Sequence, residues 1–356
     1  MSDRAIIWDP EVPLPPVEEL PLPRRVTNIV LHRADQDYAF LHESAIVHHR
    51  GDFYIAWNNS PHQESERGTV VRWIRAEQDF SRWTAPEVLA PALDHETTIR
   101  ESVQLLSTDG NLWAFVGKVH CAPRSPENAG GAMIVFRFDE ASGQWEPLAE
   151  VEGFHPLNRP QRVPGGYWIM GGQFNLNQPR VALSDGDDLC RWEVVEIPSS
   201  PEQRLNFAET SLVVDGQHVT AHVRSRIEAA FVSESGDGGH TWTHLAQSNF
   251  PMSSSKTCAG HLSTGQRYLA LNLRAPEMGR RDVLAVAVSG PDDPLLRKLV
   301  LLRRGPSPAV PDGSRYQSSQ WSYPSVQEHD GNVYITYSVT KRDCCMSVLP
   351  LSEFET

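Results

Sequence analysis

The chain has 356 residues, of which 40% are hydrophobic and 22% are charged, so it has enough apolar material for a large core. It contains no apolar run long enough to cross a membrane, and a net charge of −13 argues against a general nucleic-acid-binding protein. The 24 glycines and 27 prolines favour many short strands joined by turns over long helices.

The N-terminal segment, residues 1–25, is rich in proline, and we expect an extended arm there. It lacks the basic stretch followed by an apolar stretch that marks a secretory leader. We therefore expect a cytoplasmic protein, or a secreted one if a leader has been removed.

Six copies of one pattern follow the arm. Each copy has a short apolar run, a turn that contains glycine, and a second apolar run rich in aromatic and β-branched residues. The turn glycines, spaced 59, 55, 51, 49 and 66 residues apart, are Gly51, Gly110, Gly165, Gly216, Gly265 and Gly331. Asp-Gly and Gly-Gly between apolar runs are typical of β-hairpins, so each copy predicts one hairpin.

A tryptophan follows most hairpins after a polar turn, at Trp83, Trp145, Trp192 and Trp242. A unit of about 50–60 residues with four strands has the size of a propeller blade. We therefore expect an all-β fold, a single six-bladed β-propeller of four-stranded antiparallel blades over residues 26–356. The strand around residues 26–33 would close the ring by pairing into the last blade. Residues 291–304 fit either a short helix or an outer strand.

The five cysteines, at positions 121, 190, 258, 344 and 345, are odd in number and irregularly spaced. They fit neither a disulfide framework nor a zinc site. His48 and His49 are adjacent on a predicted strand and point to opposite faces, so they cannot chelate together. We expect no metal and no cofactor.

Residues 235–242 read S-x-D-x-G-x-T-W. In such a turn the Asp237 carboxylate accepts backbone N–H bonds, the glycines take conformations closed to other residues, and Trp242 anchors the turn on the blade. We expect this turn to be structural and to lie away from any active site.

This motif is the Asp box, and inside a six-fold repeat it makes the chain resemble the sialidase (neuraminidase) superfamily, in its bacterial branch with BNR repeats. The resemblance implies an exo-acting glycoside hydrolase that removes a terminal acidic, sialic-acid-like sugar with retention. The partner would be an oligosaccharide or a glycoconjugate. Such enzymes bind the substrate carboxylate with three arginines, attack with a tyrosine paired with a glutamate, and use a carboxylic acid on a loop as acid/base.

Part of that set can be matched in this sequence. By resemblance, Tyr323 is the nucleophile, Glu209 its base, and Arg224 and Arg281 the second and third arginines. The chemistry is coherent, because a phenol with a pKa near 10 needs a base to attack. Arginine suits a carboxylate because its planar fork forms two parallel hydrogen bonds.

The first arginine of the family is missing. His42 stands where the Arg-Ile-Pro motif of sialidases would begin, and a largely neutral imidazole cannot form the same clamp. Arg100 is a candidate replacement. The acid/base would lie on the first-blade loop, residues 58–68, which offers Glu64 and Glu66 with equal weight.

The inner strands can also be aligned with one another without the family. The first residues of these strands would surround the mouth of the central channel, and we expect them to contact the substrate beside His42 and Arg100. They are Glu43, Glu101, Arg159, Glu209, Lys256 and Tyr323. A mouth so rich in titratable groups is typical of an active site.

Two other functions remain compatible with the scaffold, because propellers host many activities. One is a polysaccharide lyase, or a glycosidase acting on uronic-acid or neutral glycans, that uses His42 or His120 with Tyr323. The other is a glycan-binding propeller without turnover, for which the missing arginine is the main argument. The sequence carries no signal for a particular oligomeric state.

Overall fold

The computed structural model describes residues 4–95, 97–120, 130–203, 205, 207–308 and 319–356. Within these ranges the chain forms six antiparallel sheets and no α-helix. Short 3-10 turns lie at Val17–Glu19, Pro201–Gln203 and Leu351–Phe354. No helix of the described residues is long and apolar enough to cross a membrane.

The strands follow the chain blade by blade, after a first strand, β1 (Thr27–Arg33), that belongs to the last blade. The first blade consists of β2 (Phe40–His49), β3 (Asp52–Ser60), β4 (Val70–Glu77) and β5 (Glu87–Ala90). The second consists of β6 (Thr98–Thr108), β7 (Asn111–His120), β8 (Gly131–Asp139) and β9 (Gln144–Glu152). The third consists of β10 (His155–Pro156), β11 (Gln161–Val163), β12 (Tyr167–Phe174), β13 (Gln178–Asp185) and β14 (Asp188–Glu196).

The remaining blades continue the order. The fourth consists of β15 (Thr210–Asp215), β16 (His218–Val223), β17 (Ala229–Ser235) and β18 (Ala246–Pro251). The fifth consists of β19 (Cys258–His261), β20 (Gln266–Asn272), β21 (Val283–Pro291) and β22 (Leu296–Arg304). The sixth joins β23 (Trp321–His329), β24 (Asn332–Val339) and β25 (Asp343–Pro350) to β1.

The ring closes as the sequence predicts. Strand β1 pairs antiparallel with β25, from Thr27 opposite Val348 to Arg33 opposite Asp343. The ambiguous segment near residue 300 is the outer strand β22, not a helix. The six-bladed propeller is thus confirmed, with the first strand and the last three strands sharing one blade.

The predicted hairpins have the geometry that their sequences favour. At Asp109-Gly110 and at Asp330-Gly331 both turn residues have positive φ, which matches the twist of the flanking strands. Buried apolar side chains form a cluster between each pair of neighbouring blades. Strands packed on both faces read as nearly continuous apolar runs, which is why the core lies between the blades.

The N-terminal arm packs against the ring. Trp8 is buried and stacks on Phe250, with ring centroids 5.2 Å apart. The Asn249 side chain accepts the backbone N–H groups of Ile7 and Trp8 and donates to the Trp8 carbonyl. Val17 and Leu20 lie in the same cluster, between the fourth and fifth blades. The arm therefore covers the contact between the fourth and fifth blades.

Each inner strand begins at one end of the central channel, which we call the entry end. It finishes in its hairpin at the other end, the hairpin end. The Asp box connects β17 and β18, and the Gly238 amide donates to the Gln217 carbonyl of a neighbouring hairpin, 2.8 Å away. Asp237 accepts the amide and hydroxyl of Thr241, and these bonds lower its pKa to about 2. The motif thus lies at the hairpin end and serves the turn.

Candidate functional site

Three inner strands carry one extra residue near the entry end. The strand register shifts between His42 and Ala45, between Glu101 and Val103, and between Ser322 and Ser325. The displaced residues have positive φ, with values of 56° at Glu43, 63° at Ser102 and 61° at Tyr323. Such a bulge redirects a side chain out of the regular strand alternation. In blades one and six, the redirected side chains are Glu43 and Tyr323.

Tyr323, Glu209 and Arg224 form one buried hydrogen-bonded group. The Tyr323 hydroxyl donates to Glu209 Oε1 over 2.5 Å. Arg224 Nη1 donates both to Glu209 Oε2, at 2.7 Å, and to the Tyr323 hydroxyl oxygen, at 2.9 Å. The structure therefore joins three predicted residues from two blades.

The electrostatics of this group keep the phenol protonated at rest. Burial raises the pKa of Tyr323 well above its ordinary value, and the Glu209 charge raises it further. Burial alone would lower the pKa of Arg224, but Glu209 and Tyr323 outweigh it and raise that pKa. A permanently charged arginine thus lies beside a neutral phenol and its carboxylate acceptor.

Two more predicted cations flank the Tyr323 ring. The Arg281 guanidinium carbon lies 5.5 Å from the ring centroid and Lys256 Nζ lies 5.4 Å from it. Arg281 is held by the Gln320 side chain, at 2.6 Å, and by the Ser254 carbonyl, at 3.0 Å. Both cations therefore lie beside the Tyr323 ring.

His42 is fully buried against Tyr323, with ring centroids 4.0 Å apart. Its Nδ1 lies 2.6 Å from Ser338 Oγ, and its Nε2 has no hydrogen-bond partner among the described residues. Burial lowers the pKa of His42 well below its ordinary value, and the charge of Lys341 lowers it further. The imidazole is neutral at physiological pH and cannot replace the charge of an arginine.

Glu43 is a buried carboxyl group surrounded by other carboxylates. Burial raises its pKa to about 8, and Glu101 and Glu209 add to the shift, while Lys256 opposes it. Its Oε2 has no hydrogen-bond partner among the described residues. Glu43 is therefore largely protonated at neutral pH and can donate a hydrogen bond.

The two loop glutamates differ. The Glu64 carboxylate reaches the neighbouring sixth blade and forms an ion pair with the ammonium group of Lys341. Glu66 instead accepts the backbone N–H groups of His62 and Gln63 and holds its own loop together. Glu64 also appears among the charges that shift the pKa of Glu43 and of Arg281, so it faces the entry end.

Arg100 does not join the group around Tyr323. Its Nε is directed at the Pro91 carbonyl, and its guanidinium lies 5.9 Å from the centre of the Phe136 ring. The next residue, Glu101, accepts a hydrogen bond from Ser65 Oγ at 2.9 Å and faces the entry end. Because successive strand side chains point to opposite faces, Arg100 points away, and the expectation that it replaces the missing arginine is wrong.

Arg159 lies further along the channel than the strand alignment predicts. The inner edge of the third blade is broken into β10 and β11, and Arg159 lies between them. Its Nη1 donates to Gln327 Oε1 at 2.9 Å. With His48 and His261 it lines a cavity of about 410 Å³ at the hairpin end. It is therefore not part of the mouth that contains Tyr323.

Lys341 is the site residue that sequence reasoning missed. It is buried in the turn between β24 and β25 and has a φ of 55°. Of the charged groups around His42, Lys341 lowers its pKa the most. A comparison of the six turns between second and third strands could have found it as the turn lysine of the last blade. Among the described residues no group of His, Cys, Asp and Glu could hold a metal ion.

A buried tyrosine bonded to a glutamate and an arginine therefore lies at the mouth of a six-bladed propeller. The chain matches the BNR repeat-like domain over residues 51–335 and belongs to that family. No curated protein sequence matches it significantly.

Solved structures share the fold at low identity. A protein of unknown function from Dyadobacter fermentans superposes with a TM-score of 0.69 at 16% identity, over 91% of this chain and 99% of that one. NanB sialidase from Streptococcus pneumoniae gives 0.66 at 9% identity, over 92% of this chain and 71% of that one. Trypanosoma rangeli sialidase gives 0.67 at 12% identity, over 92% of this chain and 60% of that one. The chain is therefore similar to the propeller part of longer sialidases.

Proposed function

We propose that this protein is an exo-acting glycoside hydrolase that cleaves a terminal sugar with retention, with Tyr323 as the nucleophile. The observation that carries the proposal is the buried 2.5 Å hydrogen bond from the Tyr323 hydroxyl to Glu209. A phenol bonded in this way can pass its proton to the carboxylate as it attacks. Arg224, bonded to both residues, stabilises the charge that moves between them.

In the first half of the reaction Tyr323 Oη forms a bond to the anomeric carbon, and the bond from that carbon to the leaving oxygen breaks. The phenolic proton moves to Glu209, and a carboxylic acid protonates the leaving oxygen. In the second half a water molecule, deprotonated by the same acid/base, attacks the anomeric carbon. The tyrosyl bond then breaks and Glu209 returns the proton to Tyr323. Two inversions give net retention.

Glu64 is the better candidate for the acid/base of the two loop glutamates. It faces the entry end through Lys341, whereas Glu66 is occupied by its own loop. A ligand that enters between Glu64 and Lys341 would separate the pair and leave the carboxyl group able to take a proton.

The sequence favours an acidic terminal sugar. By the resemblance, Arg224 and Arg281 beside Tyr323 would bind the carboxylate of such a sugar, and one solved structure of Trypanosoma rangeli sialidase holds sialic acid. The third position of the clamp is the neutral His42, so an acidic sugar would lack one of its usual partners.

The test is release of 4-methylumbelliferone from a panel of its glycosides, which includes the N-acetylneuraminic acid derivative and neutral sugars. The variants are Tyr323→Phe and Glu209→Gln, and the matched control is Tyr334→Phe, a buried tyrosine of the same blade. We expect one glycoside to be cleaved by wild type and control, and at least 100-fold more slowly by the two site variants. Unchanged turnover by Tyr323→Phe would contradict the mechanism.

A lyase is the second candidate, because the His42 and Tyr323 rings lie in direct contact. A lyase would release an unsaturated uronide, which absorbs in the ultraviolet, from a uronic-acid polysaccharide. The low pKa of His42 makes it a poor base for removing a carbon-bound proton, so the hydrolase is favoured. Saturable binding of an oligosaccharide without any product would instead indicate a glycan-binding propeller.

A further inference from the structure

The hydrogen bonds behind His42 are compatible with a proton on Nδ1. Arg281 can only donate, so Gln320 Oε1 is an acceptor, and Ser322 Oγ donates to the same oxygen at 2.8 Å. Ser338 Oγ in turn donates to the Ser322 carbonyl at 3.2 Å. When the Ser338 proton is used in this way, His42 Nδ1 donates to Ser338 Oγ over 2.6 Å.

In this tautomer His42 Nε2 is a bare acceptor. The cations around the ring favour the same tautomer, because a lone pair is attracted to positive charge and an N–H group is repelled. Those that act on His42 are Lys341, Arg281, Lys256 and Arg224. The nitrogen is buried and has no hydrogen-bond partner among the described residues, so it is able to accept one bond.

A hydrogen-bond acceptor at this position reverses the chemistry of an arginine. An arginine donates hydrogen bonds to a carboxylate. A carboxylate beside His42 Nε2 would instead be repelled, because its oxygens and the unprotonated nitrogen are both hydrogen-bond acceptors. A hydroxyl group would instead donate to the nitrogen. The preference for a hydroxyl group over a carboxylate is strong, because His42 Nε2 would otherwise be buried without a hydrogen-bond donor. A buried polar atom that has lost its bond to water and gained no other bond is destabilising.

The charges around Tyr323 also differ from those of an anion clamp. Arg224 is engaged by Glu209 and Tyr323, and Lys341 is engaged by Glu64. Among the described residues the entry end contains four basic side chains and four glutamates, namely Glu43, Glu64, Glu101 and Glu209, and of these glutamates Glu43 is largely protonated at neutral pH. An anionic sugar would therefore meet a nearly balanced site.

We propose that His42 Nε2 accepts a hydrogen bond from a hydroxyl group of the sugar bound at Tyr323, and that the site takes a neutral sugar. That hydroxyl group would occupy the place that a carboxylate has in a sialic acid. The inference rests on the proposed function only in that Tyr323 marks where the sugar binds.

Binding of an acidic probe tests the inference without turnover. The probe is DANA, the inhibitor bound to Trypanosoma rangeli sialidase in one solved structure, which is a carboxylate-bearing derivative of sialic acid. We expect wild type to bind DANA only at millimolar concentrations in calorimetry, and His42→Arg to bind it at least 10-fold more tightly. The control is His49→Gln, a buried histidine beside the hairpin turn of the first blade and bonded to Ser107, which should bind DANA as wild type does. Micromolar binding by wild type would overturn the inference.

Two measurements on the wild-type protein keep the test independent of how the variant folds. Long-range ¹H–¹⁵N spectra should show the His42 proton on Nδ1, and a proton on Nε2 would overturn the inference. In the glycoside panel, cleavage of a neutral glycoside would support it, and preferential cleavage of the N-acetylneuraminic acid derivative would overturn it. If no glycoside is cleaved, the proposed function fails while the DANA and NMR results still decide the inference.

Discussion

Glu43 and Tyr323 occupy equivalent positions in their blades, each at the extra residue of an inner-strand bulge, with φ of 56° and 61°. The conformation that aims the phenol at Glu209 in the last blade therefore aims a carboxyl group at the same opening from the first blade. Strained backbone of this kind persists only where the surrounding structure enforces it, and it is concentrated at functional sites. The two bulges therefore direct Glu43 and Tyr323 into the mouth of the channel.

The first prediction concerns the stability cost of Glu43. Its pKa is raised to about 8 in the folded protein, whereas an unfolded glutamate titrates near its ordinary value. Between these values the unfolded chain releases a proton that the folded chain keeps, so stability falls as pH rises from about 4.5 to 8. Glu43→Gln removes this cost. We expect the free energy of unfolding of the variant to rise relative to that of wild type by up to about 1.4 kcal/mol per pH unit across that window.

The measurement is urea unfolding of wild type and Glu43→Gln at several pH values from 4 to 8. The two proteins should be nearly equal in stability at the acidic end and diverge towards pH 8. A variant that is less stable than wild type at pH 8 would contradict a protonated Glu43. The result needs no substrate and so is independent of the proposed reaction.

The sequence predicts the propeller well because its signals are local. Each hairpin has its own glycine turn. The strand around residues 26–33 precedes the first blade, so the last blade is where it can pair and close the ring. The site is predicted in part for the same reason, since Tyr323, Glu209, Arg224 and Arg281 begin or end recognisable strands. The structure brings all four together.

The remaining site residues depend on features that sequence patterns do not carry. The bulge in β6 and the broken inner edge of the third blade change which residues face the mouth, and this misplaces Arg100 and Arg159. The contact of Lys341 with Glu64 joins residues that are 277 positions apart in the chain. A register change or a contact between two blades is visible only once the fold is built.

The second prediction separates the two loop glutamates. Glu64→Gln should lower turnover of substrates with poor leaving groups at least 100-fold and affect aryl glycosides much less, because only poor leaving groups need the acid. Glu66→Gln should leave turnover unchanged and lower the melting temperature, because its carboxylate accepts two loop amides. Kinetics on alkyl and aryl glycosides, with thermal unfolding of both variants, provide the check. The assignment would be reversed if only Glu66→Gln lost turnover.

The third prediction concerns the Asp box. Asp237→Asn should destabilise the fold by about 1 kcal/mol, since Asp237 accepts both the amide and the hydroxyl of Thr241. The pKa of Asp237 is lowered to about 2, so the wild-type advantage is present above its ordinary pKa and disappears as pH falls towards 2. Asp94→Asn, at a fully exposed carboxylate, is the control and should change little. Equal effects of the two variants in acid titrations of stability would contradict this role.

The fourth prediction tests the N-terminal arm. Trp8 is 5% exposed and Trp83 is 39% exposed, so the same Trp→Ala change removes core packing in one case and surface packing in the other. Trp8→Ala should cost about 3–5 kcal/mol of unfolding free energy, because it opens a cavity beside Phe250 and loses the stacked contact. Trp83→Ala should cost less than about 1 kcal/mol. Chemical denaturation of both variants measures the difference. If Trp8→Ala were as stable as Trp83→Ala, the arm would be a dispensable extension, and its burial between the fourth and fifth blades would not stabilise the ring.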